Sequence, residues 1–173
     1  MERLLDLYDW EVTCAQLNLL SSHDMPRARW MMGGDADAFK LATLFQMTMP
    51  GAPCIYYGDE VGLQSAGDPH CRAAFPWDEQ DWNGAVRQAT QRAAQLRHRY
   101  DVLRTGDYET LVAEGAVMAF QRSTGDARAV VVFNAGSNAA AMPDAVRQAA
   151  RGLKRVWPEP SESTEATLAG QQA

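Results

Sequence analysis

No apolar run in this sequence approaches membrane-spanning length, and the opening stretch carries Glu2, Arg3, Asp6, Asp9 and Glu11, too much charge for a secretory leader. A membrane partner is therefore not expected. A cytoplasmic location is the default expectation, and it weakens if the chain is a fragment whose leader lies elsewhere. Positive charge is short too, with 16 Lys and Arg against 22 Asp and Glu and a net charge of −6. Without a basic patch nothing offsets repulsion from phosphates, so no nucleic-acid partner is expected. Cysteine is sparse: Cys14, Cys54 and Cys71 are odd in number and widely spaced. They make neither a disulfide framework nor the paired spacing of a zinc site, and read as free buried thiols of a reducing compartment. His70–Cys71 lacks a second ligand pair, so no metal is expected, and no cofactor.

Apolar residues make up 46% and charged residues 22%, proportions that support a buried core. Leu4, Leu5, Tyr8 and Val12 recur at helical spacing and predict an opening helix. Residues 13–20 turn apolar without a helical stripe, which predicts a buried strand running out into Ser21, Ser22, His23, Asp24 and the breaker Pro26. Asp35 or Asp37 can cap the next helix, which buries Phe39, Ala42, Phe45 and Met49 and stops at Pro50–Gly51. Pro53-Cys-Ile-Tyr-Tyr57 reads as a second buried strand closing on Gly58, Asp59 and Glu60. After a polar loop, Asn83 caps a helix with an apolar stripe of Ala85, Ala89, Ala93, Leu96, Tyr100 and Leu103. Arg87, Arg92, Arg97 and Arg99 are expected mostly to solvate its other sides, and Gly106 ends it.

Beyond Gly106 three β-like runs follow, around residues 108–112, 117–122 and 129–134, with Thr124-Gly-Asp126 as a hairpin turn. Residues 139–153 are Ala-rich and read as helix, and residues 158–173 hold little to bury and are expected to be disordered. Strand–helix–strand–helix with continuous apolar strands predicts a parallel sheet covered by helices. The fold class expected is therefore α/β plus β, with units at 1–105 and 106–157 and a tail at 158–173.

In such architectures functional residues sit where strands end and loops begin. Ser22-His-Asp24 and Gly58-Asp-Glu60 occupy two such ends on the same face, so their carboxylates and imidazole are expected to converge. Paired carboxylates there suit glycosidic-bond cleavage. Structural readings stand beside this one. Asp24 could order the turn before Pro26. Asp59 and Glu60 are neighbours, and neighbours on an extended strand point to opposite faces, so they fit supporting roles better. The loop from Gly67 to Asp78 adds Asp68, His70, Arg72 and Trp77, an aromatic ring and charged groups that suit a sugar. Trp77 could equally be an anchor for that loop.

Together these stretches resemble the alpha-amylase family of glycoside hydrolases, and most of all its neopullulanase, cyclomaltodextrinase and maltogenic-amylase branch. Asn18-Leu-Leu-Ser-Ser-His-Asp-Met-Pro-Arg27 looks like the segment ending strand seven of that family's (β/α)8 TIM barrel. Met49-Pro-Gly-Ala-Pro-Cys-Ile-Tyr-Tyr-Gly-Asp-Glu-Val-Gly-Leu63 looks like strand eight and its loop. Asp68-Pro-His-Cys-Arg72 and Phe75-Pro-Trp-Asp78 look like the branch's sugar-binding loop, and Val131-Val-Phe-Asn134 like an early strand of the β domain that follows the barrel.

The resemblance implies an alpha-glucan oligosaccharide as partner. It implies that Asp24 steadies the oxocarbenium-like transition state, that His23 binds the same sugar, and that Asp68 and Arg72 hold a neighbouring glucose. Trp77 is a substrate-binding expectation, and Arg27, Asp59 and Glu60 are supporting ones. The family's nucleophilic aspartate and acid/base glutamate lie on strands four and five, and this chain begins after both. A retaining mechanism needs two carboxyls about 5–5.5 Å apart. The chain is thus expected to be inactive alone, needing the rest of a barrel or self-associating. A non-catalytic maltooligosaccharide-binding or subunit-interaction module is the alternative, and a small unrelated hydrolase built on Asp24 with Asp59 or Glu60 is the third reading.

Overall fold

The computed structural model describes residues 2–157 and 167–168. The chain opens on two short helices, α1 (Glu2–Leu5) and α2 (Trp10–Ala15), in place of the single helix expected. Tyr8 and Val12, half of the anticipated stripe, are exposed, and the residue buried here is Thr13, whose hydroxyl donates to Leu5 O at 3.2 Å. The strand expected over residues 13–20 is only β1 (Leu17–Leu19). It is not buried: Leu17 and Leu19 are 63% and 51% exposed. Their apolar character calls for a covering layer, but among the described residues β1 has one strand neighbour, on one edge.

After α3 (Ala28–Met31), helix α4 (Ala36–Thr48) begins where the Asp35 carboxylate accepts from the backbone N–H groups of Asp37 and Ala38 at 2.8 and 3.1 Å. It stops because Met49 precedes a proline and is driven into extended conformation. Gly51 then takes φ +98°, and a side-chain carbon there would lie 2.8 Å from Gln16 O, so only glycine turns the chain here. The turn leads into β2 (Ala52–Cys54), which runs parallel to β1 with Leu17 opposite Ala52 and Leu19 opposite Cys54. The expected parallel strand–helix–strand unit is present, though both strands are short.

Three turns of 3-10 helix, Asp59–Val61, His70–Arg72 and Glu79–Asp81, structure the polar loop. Asn83 caps α5 (Gly84–Arg99) by accepting from Val86 N–H at 3.0 Å, and a further turn, α6 (Val102–Thr105), leads to Gly106. Strands β3 (Asp107–Glu114), β4 (Val117–Thr124) and β5 (Ala127–Asn134) form an antiparallel sheet in sequence order, with the expected hairpin between Thr124 and Ala127. The long helix expected over residues 139–153 shrinks to α7 (Asp144–Ala149), because Pro143 sets its start and the strand β6 (Ala140–Ala141) precedes it. β6 pairs antiparallel with β7 (Thr167–Leu168). The rest of the tail expected to be disordered lies outside the described residues.

Helices and antiparallel sheet share one core. Leu44, Met47 and Met49 meet Ala93 of α5 and Phe120 and Phe133 of the sheet, and Phe45 sets its ring edge-on to both phenylalanines at 6.5 and 5.5 Å. Beneath that core lie two arginines. Arg97, expected to face solvent, is buried, and its Nη1 donates to the carbonyls of Met47, Met49 and Leu103 at 2.9–3.0 Å. Arg122 is wholly buried and donates to Thr48, Leu103, Gly106 and Asp107 carbonyls.

The reason lies in α4. Its last carbonyls have no helical partner and carry the negative end of the helix dipole, and two guanidinium forks satisfy them. Burial, reinforced by the charge of Arg97, pushes Arg122 down to about 10. No helix among the described residues is long and apolar enough to cross a membrane.

Replacing Arg122 by Lys removes the fork and leaves buried carbonyls unpaired. The expected loss is about 1.5–3 kcal/mol in urea unfolding. Arg128→Lys on the exposed end of β5 serves as control and should stay within about 0.5 kcal/mol. Equal midpoints for the two variants would contradict the role assigned to Arg122.

Candidate functional site

The end of β1 and the end of β2 are joined by one guanidinium. Arg27 is fully buried, and its Nη1 donates to Tyr57 O at 2.7 Å and to Asp59 Oδ1 at 3.0 Å. Its Nη2 donates to Cys71 O at 3.1 Å, so the loop carrying Asp68 and Arg72 hangs from the same group. Tyr56 and Tyr57 lay their rings against the guanidinium at 4.6 and 4.9 Å. Ser21, also buried, accepts from Ala28 N–H and hydrogen-bonds Asp59. Burial pushes the Asp59 carboxyl pKa up, opposed by the Ser21 hydrogen bond and then by Arg27.

Above this buried tie stands an exposed cluster. Asp24 Oδ2 lies 3.1 Å from His23 Nε2, and Asp24 Oδ1 lies 3.3 Å from Arg72 Nη2. Arg72 Nε also reaches Asp68 Oδ1 at 3.2 Å and donates to His23 O at 3.0 Å. Exposed pairs of this kind add little to stability. What they do is hold an ordered array of donors and acceptors open to solvent, with the Asp24 side chain 68% exposed.

The predicted site residues thus divide. His23, Asp24, Asp68 and Arg72 come together. Asp59 does not converge with them, because Arg27 and Ser21 engage it below the surface. Glu60 does not converge either: the turn at Asp59–Val61 sends it to a small recess that it lines with Asp59, Leu20, Phe39, Thr43, Gln46 and Thr90. Its Oε2 is buried there without a hydrogen-bond partner among the described residues. Trp77 is 84% exposed and packs its ring on Phe75 at 4.8 Å. The loop's indole anchor is Trp82, whose Nε1 donates to Pro76 O at 2.6 Å and whose ring lies under Arg87. Among the described residues no group of three His, Cys, Asp or Glu could hold a metal ion.

Arg27 is expected in the sequence only as a supporting residue, and Ser21, Tyr56 and Cys71 carry no expected role in the sugar site. The signal was present: a carboxylate and two aromatic rings in Tyr56-Tyr-Gly-Asp59 are what a buried guanidinium requires.

A sequence profile described as the alpha-amylase catalytic domain matches residues 4–107. The chain belongs to the alpha-amylase family. It is 37% identical over 142 residues to a cyclomaltodextrinase of Geobacillus thermopakistaniensis, an alignment covering 81% of this chain and 24% of that protein. It is 38% identical over 130 residues to neopullulanase 2 of Thermoactinomyces vulgaris, covering 74% of this chain and 22% of the relative. A crystal structure of a debranching enzyme from Nostoc punctiforme matches with a TM-score of 0.76 and 43% identity, over 80% of this chain and 28% of that one. This alpha-amylase-family chain therefore spans about a quarter of the length of the relatives it matches.

Breaking the Arg27–Asp59 pair from one side strands a buried charge. Arg27→Met is expected to cost about 3–5 kcal/mol. Arg27→Met combined with Asp59→Leu should cost less than the sum of the single changes, by a coupling of about 0.5–3 kcal/mol. Additive effects in a chemical-denaturation cycle would show that the pair is not a unit.

Proposed function

We propose that this chain forms the sugar-facing end of the catalytic domain of an alpha-glucan hydrolase. In this reading residues 1–105 are the last β/α units of a (β/α)8 barrel and residues 106–157 a small β-rich domain packed on it. Asp24 stabilises the oxocarbenium-like transition state, His23 binds the sugar being cleaved, and Asp68 and Arg72 hold the next glucose. Trp77 offers an exposed ring face for stacking. The nucleophile and the acid/base of a retaining mechanism come from outside this chain, so it does not turn over substrate alone.

The observation that carries the reading is the exposed four-residue array of His23, Asp24, Asp68 and Arg72 at the ends of parallel strands. The relatives' names point to cyclomaltodextrins, pullulan and branched glucans as the substrate class. The third reading, a self-contained hydrolase on Asp24 with Asp59 or Glu60, is disfavoured because both partners are turned away from Asp24. The exposed apolar side chains of β1 favour a chain that completes its sheet with further barrel strands or by self-association. A cytoplasmic setting is part of the proposal, supported by the free thiols Cys14, Cys54 and Cys71.

Maltotriose titrated into the chain should bind saturably in the millimolar range, with no hydrolysis of maltotriose, pullulan or cyclodextrin. Asp24→Asn or Arg72→Ala should weaken that binding about tenfold, the loss of one charged hydrogen bond. A wild-type chain without saturable binding at millimolar sugar would discard the reading. Turnover by the chain alone that Asp24→Asn abolishes would overturn the assignment of nucleophile and acid/base to outside it.

A further inference from the structure

Asp24 projects into solvent from a loop, so something other than packing must set its direction. The peptide joining His23 to Asp24 is a rigid plane, and fixing its oxygen and its N–H fixes the Asp24 Cα as well. Both ends of that plane are engaged. The His23 carbonyl accepts from Cys71 Sγ at 3.0 Å and from Arg72 Nε at 3.0 Å. The Asp24 N–H donates to Ser22 Oγ at 3.3 Å.

Cys71 is in turn immobilised. It is fully buried, and its own carbonyl accepts from Arg27 Nη2 at 3.1 Å and from Tyr56 Oη at 3.3 Å. The chain of contacts therefore runs from the buried guanidinium, through the backbone and thiol of Cys71, to the peptide that aims Asp24. Ser22 closes it from the opposite side. Neither side chain needs to touch a sugar for this.

We propose that Cys71 and Ser22 are positioning residues, which place the backbone of Asp24 by clamping the His23–Asp24 peptide, so that His23 and Arg72 can hold its carboxylate. The proposal rests on Asp24 being a sugar-binding carboxylate. It accounts for a buried thiol that takes part in no disulfide and no metal cluster among the described residues. A thiol is a weak donor, so its share of the clamp is modest, and the Arg72 donor to the same oxygen supplements it.

The test uses the full chain, labelled with 15N, in three variants: Cys71→Ala, Cys71→Ser and Ser22→Ala. Cys71→Ala removes the donor and should shift the Asp24 amide resonance and weaken maltotriose binding about threefold to fivefold. Cys71→Ser restores a donor and should bring both values back toward wild type, even where the thermal midpoints of the two variants fall alike. Ser22→Ala, at a half-exposed position, should shift the same amide and speed its hydrogen exchange; it keeps the test open if both Cys71 variants fail to fold. An Asp24 amide unmoved by Cys71→Ala or Ser22→Ala, or a Cys71→Ser chain no closer to wild type than Cys71→Ala, would overturn the clamp. Absence of maltotriose binding by the wild-type chain would instead count against the proposed function, and the amide shifts would still decide the clamp.

Discussion

Everything about the candidate site depends on the buried guanidinium of Arg27. It is the point where the end of β1, the end of β2 and the loop carrying Asp68 and Arg72 meet, through Asp59, the Tyr57 carbonyl and the Cys71 carbonyl. A fully buried cation is costly unless its charge is answered, and here both terminal nitrogens donate while Nε has no hydrogen-bond partner among the described residues. Here a carboxylate answers the charge, and two aromatic faces cover the plane. The arrangement separates two roles that adjacent carboxylates could otherwise have confused. Asp59 holds the scaffold from below, and Asp24 stands exposed above it, paired with His23 and Arg72.

A pair of buried arginines performs the same service at the other end of the strands. Arg97 and Arg122 collect the terminal carbonyls of α4 and the carbonyls at and beside Gly106, with no carboxylate among their hydrogen-bond partners in the described residues. They join the helical layer to the antiparallel sheet, and Phe120 and Phe133 seal the contact. The two parts of the chain therefore cannot be treated as beads on a string. Exposed leucines on β1 show the opposite condition, an apolar surface awaiting a cover.

Much of this was legible in the sequence, for reasons that differ by element. Caps and breakers were read well because their physics is local: Asp35 and Asn83 start helices, and Pro50 and Gly51 stop one. The three strands of the sheet are legible as β-like runs, and the hairpin between β4 and β5 from the turn at Gly125. The strand near Thr13 was overestimated because apolar residues alone do not say whether a covering layer exists. Arg97 was misplaced because helical periodicity predicts faces, whereas its burial is decided by carbonyls from Met47, Met49 and Leu103 that lie on other elements. The same limit applies to Asp59 and Glu60. Their nearness in sequence is visible, but the 3-10 turn that replaces the expected extended strand is not, and the partner that buries Asp59 lies far away at Arg27.

An alpha-glucan is proposed to meet this chain at the array of His23, Asp24, Asp68 and Arg72. Mapping backbone and side-chain resonance shifts during a maltotriose titration addresses it most directly. Shifts concentrated on those four residues and on Trp77 are expected, with β3, β4 and β5 unaffected. Shifts confined to the antiparallel sheet, or none at saturating sugar, would contradict it.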